Sequence, residues 1–79
     1  MPQPRVESVG YTALIPKGKD GGFFRFGYSE SEVKMSRYAM RAFGMELAEK
    51  IHIVAAVRLE TGRIFVVDNT ALRLLRGGK

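Results

Sequence analysis

The sequence predicts an α+β fold: a four-stranded antiparallel sheet in the order β-β-α-β-β, one long helix packed on one face, and a short C-terminal helix. Three observations predict it. Two pairs of strand-like segments are each joined by a short, glycine-containing turn. A single stretch with helical spacing of its apolar residues separates the pairs. The chain is 79 residues long, enough for one domain spanning residues 1–79 and no more.

Residues 1–4 and 77–79 are expected to be loose ends. Alternation then begins. Val9, Tyr11, Ala13 and Ile15 point one way, and Ser8, Gly10, Thr12 and Leu14 the other, the pattern of a half-buried strand. Pro16 ends it, and Lys17-Gly18-Lys19-Asp20-Gly21-Gly22 reads as a mobile hairpin loop. Phe23 to Tyr28 resumes as a strand with Phe24, Phe26 and Tyr28 on one face and Phe23 and Arg25 on the other.

Ser29 with Glu32 three residues on reads as a capping box, so the helix is expected from about Ser29 to Lys50. Glu30 and Glu32 complement the positive end of its dipole. Gly44 weakens the interior by roughly 1 kcal/mol relative to alanine and permits a bend there. Ile51 to Leu59 is almost continuously apolar, as expected of a central strand buried on both sides. Glu60-Thr61-Gly62 makes the second turn and Arg63 to Val67 the returning strand. Asp68, Asn69 or Thr70 caps a last helix, Ala71 to Arg76, which Gly77 and Gly78 terminate.

The long helix is apolar on two sides. Val33, Met40 and Leu47, with Phe43 nearby, form one stripe; Met35, Tyr38, Ala42 and Met45 form another. One sheet covers one stripe, so the second asks for a partner. Met35, Tyr38, Ala42 and Met45, flanked by Arg37 and Arg41, are the candidate partner or dimer interface. A small core supplies only about 3–5 kcal/mol, which makes self-association as a homodimer an economical source of further burial.

Thirteen lysines and arginines against eight acidic residues give a net charge of +5, which draws the chain toward phosphate backbones or acidic protein faces. Lys17, Lys19, Arg25, Arg73 and Arg76 are the candidate contacts for either. Gly22-Phe23-Phe24-Arg25-Phe26-Gly27-Tyr28 interleaves aromatics with an arginine, as base-stacking surfaces do, so a small DNA- or RNA-binding module is the alternative reading.

Catalytic chemistry finds no constellation of residues. There is no cysteine, so neither a disulfide nor a thiolate is available, and the single histidine, His52, sits among Ile51, Ile53 and Val54. It is expected to make one hydrogen bond on a sheet face. Glu46 and Glu49 are expected to solvate the helix and pair with Lys50 or Arg41. The glycine-lysine loop lacks P-loop spacing and joins two strands. No cofactor or metal is expected, and the chain is not read as an enzyme. No segment approaches the roughly 20 apolar residues of a membrane span, and the N-terminus lacks a signal peptide's charged and apolar regions. A cytoplasmic protein is expected.

In its size, its lack of cysteine and its missing catalytic parts, the chain is similar to the short α/β proteins that phages encode to block host machinery, anti-CRISPR proteins among them. That resemblance implies a non-enzymatic inhibitor or regulator. It would dock, as a homodimer, on an acidic protein surface of a nucleic-acid-handling complex and block it sterically.

Overall fold

A computed structural model describes residues 4–75. The elements run β1 (Val6–Pro16), β2 (Phe23–Ser29), α1 (Glu32–Ala48), β3 (His52–Leu59), β4 (Ile64–Val66) and α2 (Asn69–Leu75), with one 3-10 turn, Gly18–Asp20, in the first hairpin loop. The four strands form one antiparallel sheet in the order β2-β1-β3-β4. The α+β architecture expected from the sequence is present. The expected termination of α2 at Gly77 and Gly78, and Arg76 itself, lie outside the described residues.

The central pair is β1 and β3, in register from Val6 opposite Leu59 to Leu14 opposite His52. Consecutive buried residues Ala55, Ala56 and Val57 show that β3 is covered on both faces, as its unbroken apolar run implies. α1 packs on the face carrying Ala13 and Ile15. Its Met35 and Ala39 join them in the fully buried core, bordered by Tyr11, Phe26, Phe43, Leu47, Ile51 and Ile53. Burying Ile15 or Met35 stabilises the fold by roughly 1.5–3 kcal/mol each. Leu72 of α2 is also buried, and α2 contacts β1 and β3.

Both helix starts are set by a side-chain oxygen. The box expected at Ser29 is corrected: Ser31 is the N-cap of α1, accepting from the Lys34 amide at 3.3 Å, while Ser29 accepts from the Ser31 amide at 3.1 Å and shapes the turn before it. Ser29 is therefore still in the strand. Asp68 caps α2 as anticipated, accepting from the Ala71 amide at 2.7 Å.

A bulge in β2 changes the expected facing of its residues. Ala13 pairs with Phe26, yet Tyr11 pairs with Ser29, so Gly27 and Tyr28 together oppose Thr12. Gly27 has φ 74°, a conformation that glycine takes without steric penalty. The Thr12 hydroxyl donates to the Gly27 carbonyl at 2.6 Å and lies 3.3 Å from the Phe26 carbonyl, satisfying groups the bulge removes from the ladder. The extra residue turns Tyr28 away from Phe24 and Phe26. Its hydroxyl meets Ser8 Oγ at 2.7 Å, and the Arg58 guanidinium lies 5.1 Å from its ring centroid while Arg58 Nε bonds Glu7 at 2.9 Å.

The sheet also curls. Arg25 on one edge strand donates to the Ile64 carbonyl on the other. Flat strands sit about 4.8 Å apart, so two outer strands of four would stand roughly 14 Å apart, beyond an arginine's reach. Arg25 and Gly27 of β2 also line one cleft with Ile64 and Phe65 of β4, so the edges approach each other around the face turned away from α1. Small buried residues on the middle strands accommodate this: Gly10 lies opposite Ala56, and Thr12 follows.

Gly10 has no room to grow. A Cβ there would collide with the Ser29 carbonyl oxygen and lie 2.9 Å from the Glu30 Cα. Gly10→Ala is expected to lower the unfolding free energy by about 1–3 kcal/mol through overpacking, read as a reduced urea midpoint at unchanged slope. A wild-type midpoint would disprove the close packing of β1 beneath the β2–α1 connection.

Candidate functional site: the outward face of the long helix

α1 is one helix followed, after a break, by a single further turn. Gly44 has φ 84° and ψ 170°, a backbone region that essentially only glycine occupies, and the helical path breaks there. A glycine side-chain position at 44 meets nothing within 4 Å, so the break opens toward solvent rather than toward a neighbour. The bend that Gly44 permits is thus realised.

The covered face of α1 draws on both expected stripes, Met35 from one and Leu47 with Phe43 from the other, and adds Ala39 from neither. Met35, Ala39, Phe43 and Leu47 face the sheet. Assigning Met35 to an interface is corrected: it is 0% exposed, held beneath the bulge, where a Cβ on Gly27 would meet its Cε at 2.8 Å. Tyr38 is 52% exposed, but its ring stacks on Phe26 with centroids 5.0 Å apart, so it borders the core and the surface together. Ala42 is exposed, and Met45 is the most exposed large apolar residue among those described, at 72%. Val33 and Met40, from the other stripe, are exposed as well.

What faces outward is therefore a new combination. Arg37, Met40, Arg41, Gly44 and Met45 line a concavity of about 300 Å³ at the break. Lys34, Arg37, Tyr38 and Arg41 line an adjoining one of about 220 Å³, so the two guanidinium groups stand on the ridge between them. Lys34, Arg37 and Arg41 recur at spacings of three and four and share one side of the helix. Among the described residues the only ion pair is Arg58 with Glu7, so these three cations have no carboxylate partner. Pairing of Glu46 or Glu49 with Lys50 or Arg41 is corrected on the same ground.

The remaining candidates do not converge. Phe24 and Phe26 lie on the helix side, with Phe24 at 6.2 Å and Phe26 at 4.8 Å from the Phe43 centroid. Phe23 lies on the opposite side, edge-on to His52 at 5.5 Å. The aromatics are thus split between two faces, Phe23 opposite Phe24 and Phe26 as alternation along the strand implies, and form no single stacking platform. His52 packs against that ring, and among the described residues its side chain makes no hydrogen bond of the kind expected. Arg25 is engaged with the Ile64 carbonyl; Lys17 and Lys19 sit in the first hairpin loop, and Arg73 is exposed on α2. Among the described residues no group of three His, Cys, Asp or Glu side chains is placed to hold a metal, and no helix is long and apolar enough to cross a membrane.

No family model, curated protein or solved structure matches this chain.

Two methionines from one expected stripe now have opposite fates. Met35→Ala is expected to cost about 2–5 kcal/mol by opening a cavity, whereas Met45→Ala stays within about 0.5 kcal/mol of wild type. Thermal or urea unfolding of the two variants checks this; equal losses would mean that α1 is rotated from the orientation described.

Proposed function

We propose that this protein is a non-enzymatic binding protein that presses the outward face of α1 onto an acidic protein surface and acts by steric occlusion. The observation that carries this reading is the concavity at the Gly44 break. There, Met40 and Met45 offer apolar area beside Arg37 and Arg41, whose charges lack partners among the described residues. Methionine adapts its shape to a partner, and arginine supplies charged hydrogen bonds with directional geometry. Acidic groups on the partner would meet the guanidiniums as apolar side chains fill the break.

The reading extends to the class of target suggested by size and composition, a nucleic-acid-handling complex, in the manner of phage-encoded inhibitors. The nucleic-acid channels of such complexes are themselves positively charged. A chain of net charge +5 would thus settle on an acidic shoulder and obstruct access or movement from there. A second copy suits this face less well, because pairing α1 with itself would set Arg37 and Arg41 near their counterparts with no carboxylate between them.

Binding to nucleic acid through Lys34, Arg37 and Arg41 is the competing use of the same cations. The split of Phe23 from Phe24 and Phe26 weighs against a stacking platform. Salt dependence separates the two.

The test uses the full chain, wild type and the triple variant Arg37→Glu, Arg41→Glu, Met45→Asp, all at exposed positions. Partners captured by the wild type are purified and titrated. The triple variant is expected to bind at least about 100-fold more weakly while melting as a folded domain. Sedimentation is expected to give a monomer, and fluorescence anisotropy to find no oligonucleotide binding at physiological salt. Equal partner affinity for both chains would overturn the reading. Oligonucleotide binding that weakens linearly with the logarithm of salt would replace it with phosphate recognition.

A further inference from the structure

We propose a second site, apart from α1: the cleft between the two sheet edges takes an extended, carboxylate-bearing peptide as an added strand along β4. The cleft has a volume of about 590 Å³ and is lined by Arg25, Gly27, Arg63, Ile64 and Phe65. That is the size range of recognition pockets rather than of a packing defect.

Its shape follows from the topology. β2 and β4 are the outer strands of the sheet, and curling brings them face to face across the cleft. Leu59 N–H donates to the Arg63 carbonyl and Val67 N–H to the Ala55 carbonyl, each at 2.9 Å. Alternation therefore turns the backbone groups of Arg63, Phe65 and Val67 toward β3, and those of Ile64 and Val66 toward the open edge. One of these outward groups, the Ile64 carbonyl, already accepts from the Arg25 guanidinium. That side chain occupies the place of the N–H an incoming strand would supply. Edge strands left with free backbone groups are ready templates for another chain, and strand addition is a recurrent mode of peptide recognition.

Charge selects the peptide. Both ionisable residues lining the cleft are arginines, and neither takes part in an ion pair among the described residues. An entering strand would take over the Ile64 carbonyl with its own N–H, releasing Arg25 to meet a carboxylate. Arg63, at the end of the turn, would meet a second. Acidic side chains gain two charge-assisted contacts there, whereas basic ones meet repulsion.

The experiment titrates an end-capped pentapeptide of alternating glutamate and valine into the isotope-labelled full chain, and records backbone amide shifts. The counterpart peptide with lysine for glutamate, and inorganic phosphate, are titrated alongside. The expected result is saturable shifts centred on Ile64 and Val66 for the acidic peptide, at least about tenfold weaker for the basic one. Arg63→Glu, an exposed turn position, is expected to weaken the acidic peptide about tenfold and to narrow or reverse the preference. Equal binding of both peptides, shifts confined to other residues, or full competition by phosphate at matched concentration would overturn strand addition at this edge. Because α1 takes no part, the Arg37→Glu, Arg41→Glu, Met45→Asp chain should bind the acidic peptide as the wild type does.

Discussion

The bulge at Gly27, closed by the Thr12 hydroxyl, is the constraint on which the rest of the structure depends. One extra residue in β2 lets two backbone carbonyls turn to a buried threonine instead of to the ladder. Because Gly27 has no side chain, Met35 and Tyr38 of α1 can settle directly on the strand. The same extra residue reverses Tyr28, which then joins Ser8 and Arg58 on the opposite face. Bulges strengthen local twist, and a strongly twisted strand at one edge is what a sheet that curls on itself requires. Helix seat and polar cluster both rest on this single insertion, and Gly27 itself lines the cleft.

A second glycine organises the surface. A straight α1 would carry its apolar residues smoothly around the helix, and none would need to gather. The break at Gly44 ends that regularity and sets Met45 beside Arg41 and Met40. The strain that keeps other residues out of such a conformation is absent for glycine, so the break needs no compensating contact. The outward groove is consequently a property of the backbone, and its lining side chains could vary while its shape persists.

The architecture was legible because periodicity reports it directly. Alternation from Val9 to Ile15, the apolar run of β3 and the Glu60-Thr61-Gly62 turn place each strand within a residue or two. Facing within α1 was less legible. Met35 and Met45 carry equivalent side chains at helical spacing, and only the approach of Gly27 and the break at Gly44 decide which is buried. The exchange of Ser29 for Ser31 as the cap has a similar cause, since either serine precedes the first turn at a workable distance and strand pairing of Ser29 with Tyr11 decides. Of the candidate site, Tyr38, Met45, Arg37 and Arg41 were readable from composition and spacing. The cleft was not: Arg25 and Arg63 are far apart in the chain, and curling of the sheet brings their strands together.

The pairing of Val6 with Leu59 has a consequence for how the protein comes into being. β1 precedes the other strands of the sheet in the chain, yet it lies at the middle of the sheet, and its central partner β3 is made only after β2 and α1. During synthesis β1 can hold only β2, an isolated hairpin that is marginal in water. The core under α1 therefore completes only after β3 has emerged, since Ile51 and Ile53 border it. Until then the edge of β1 meant for β3 stays open, and the growing chain is a sheet waiting for its centre while β2 and α1 are made.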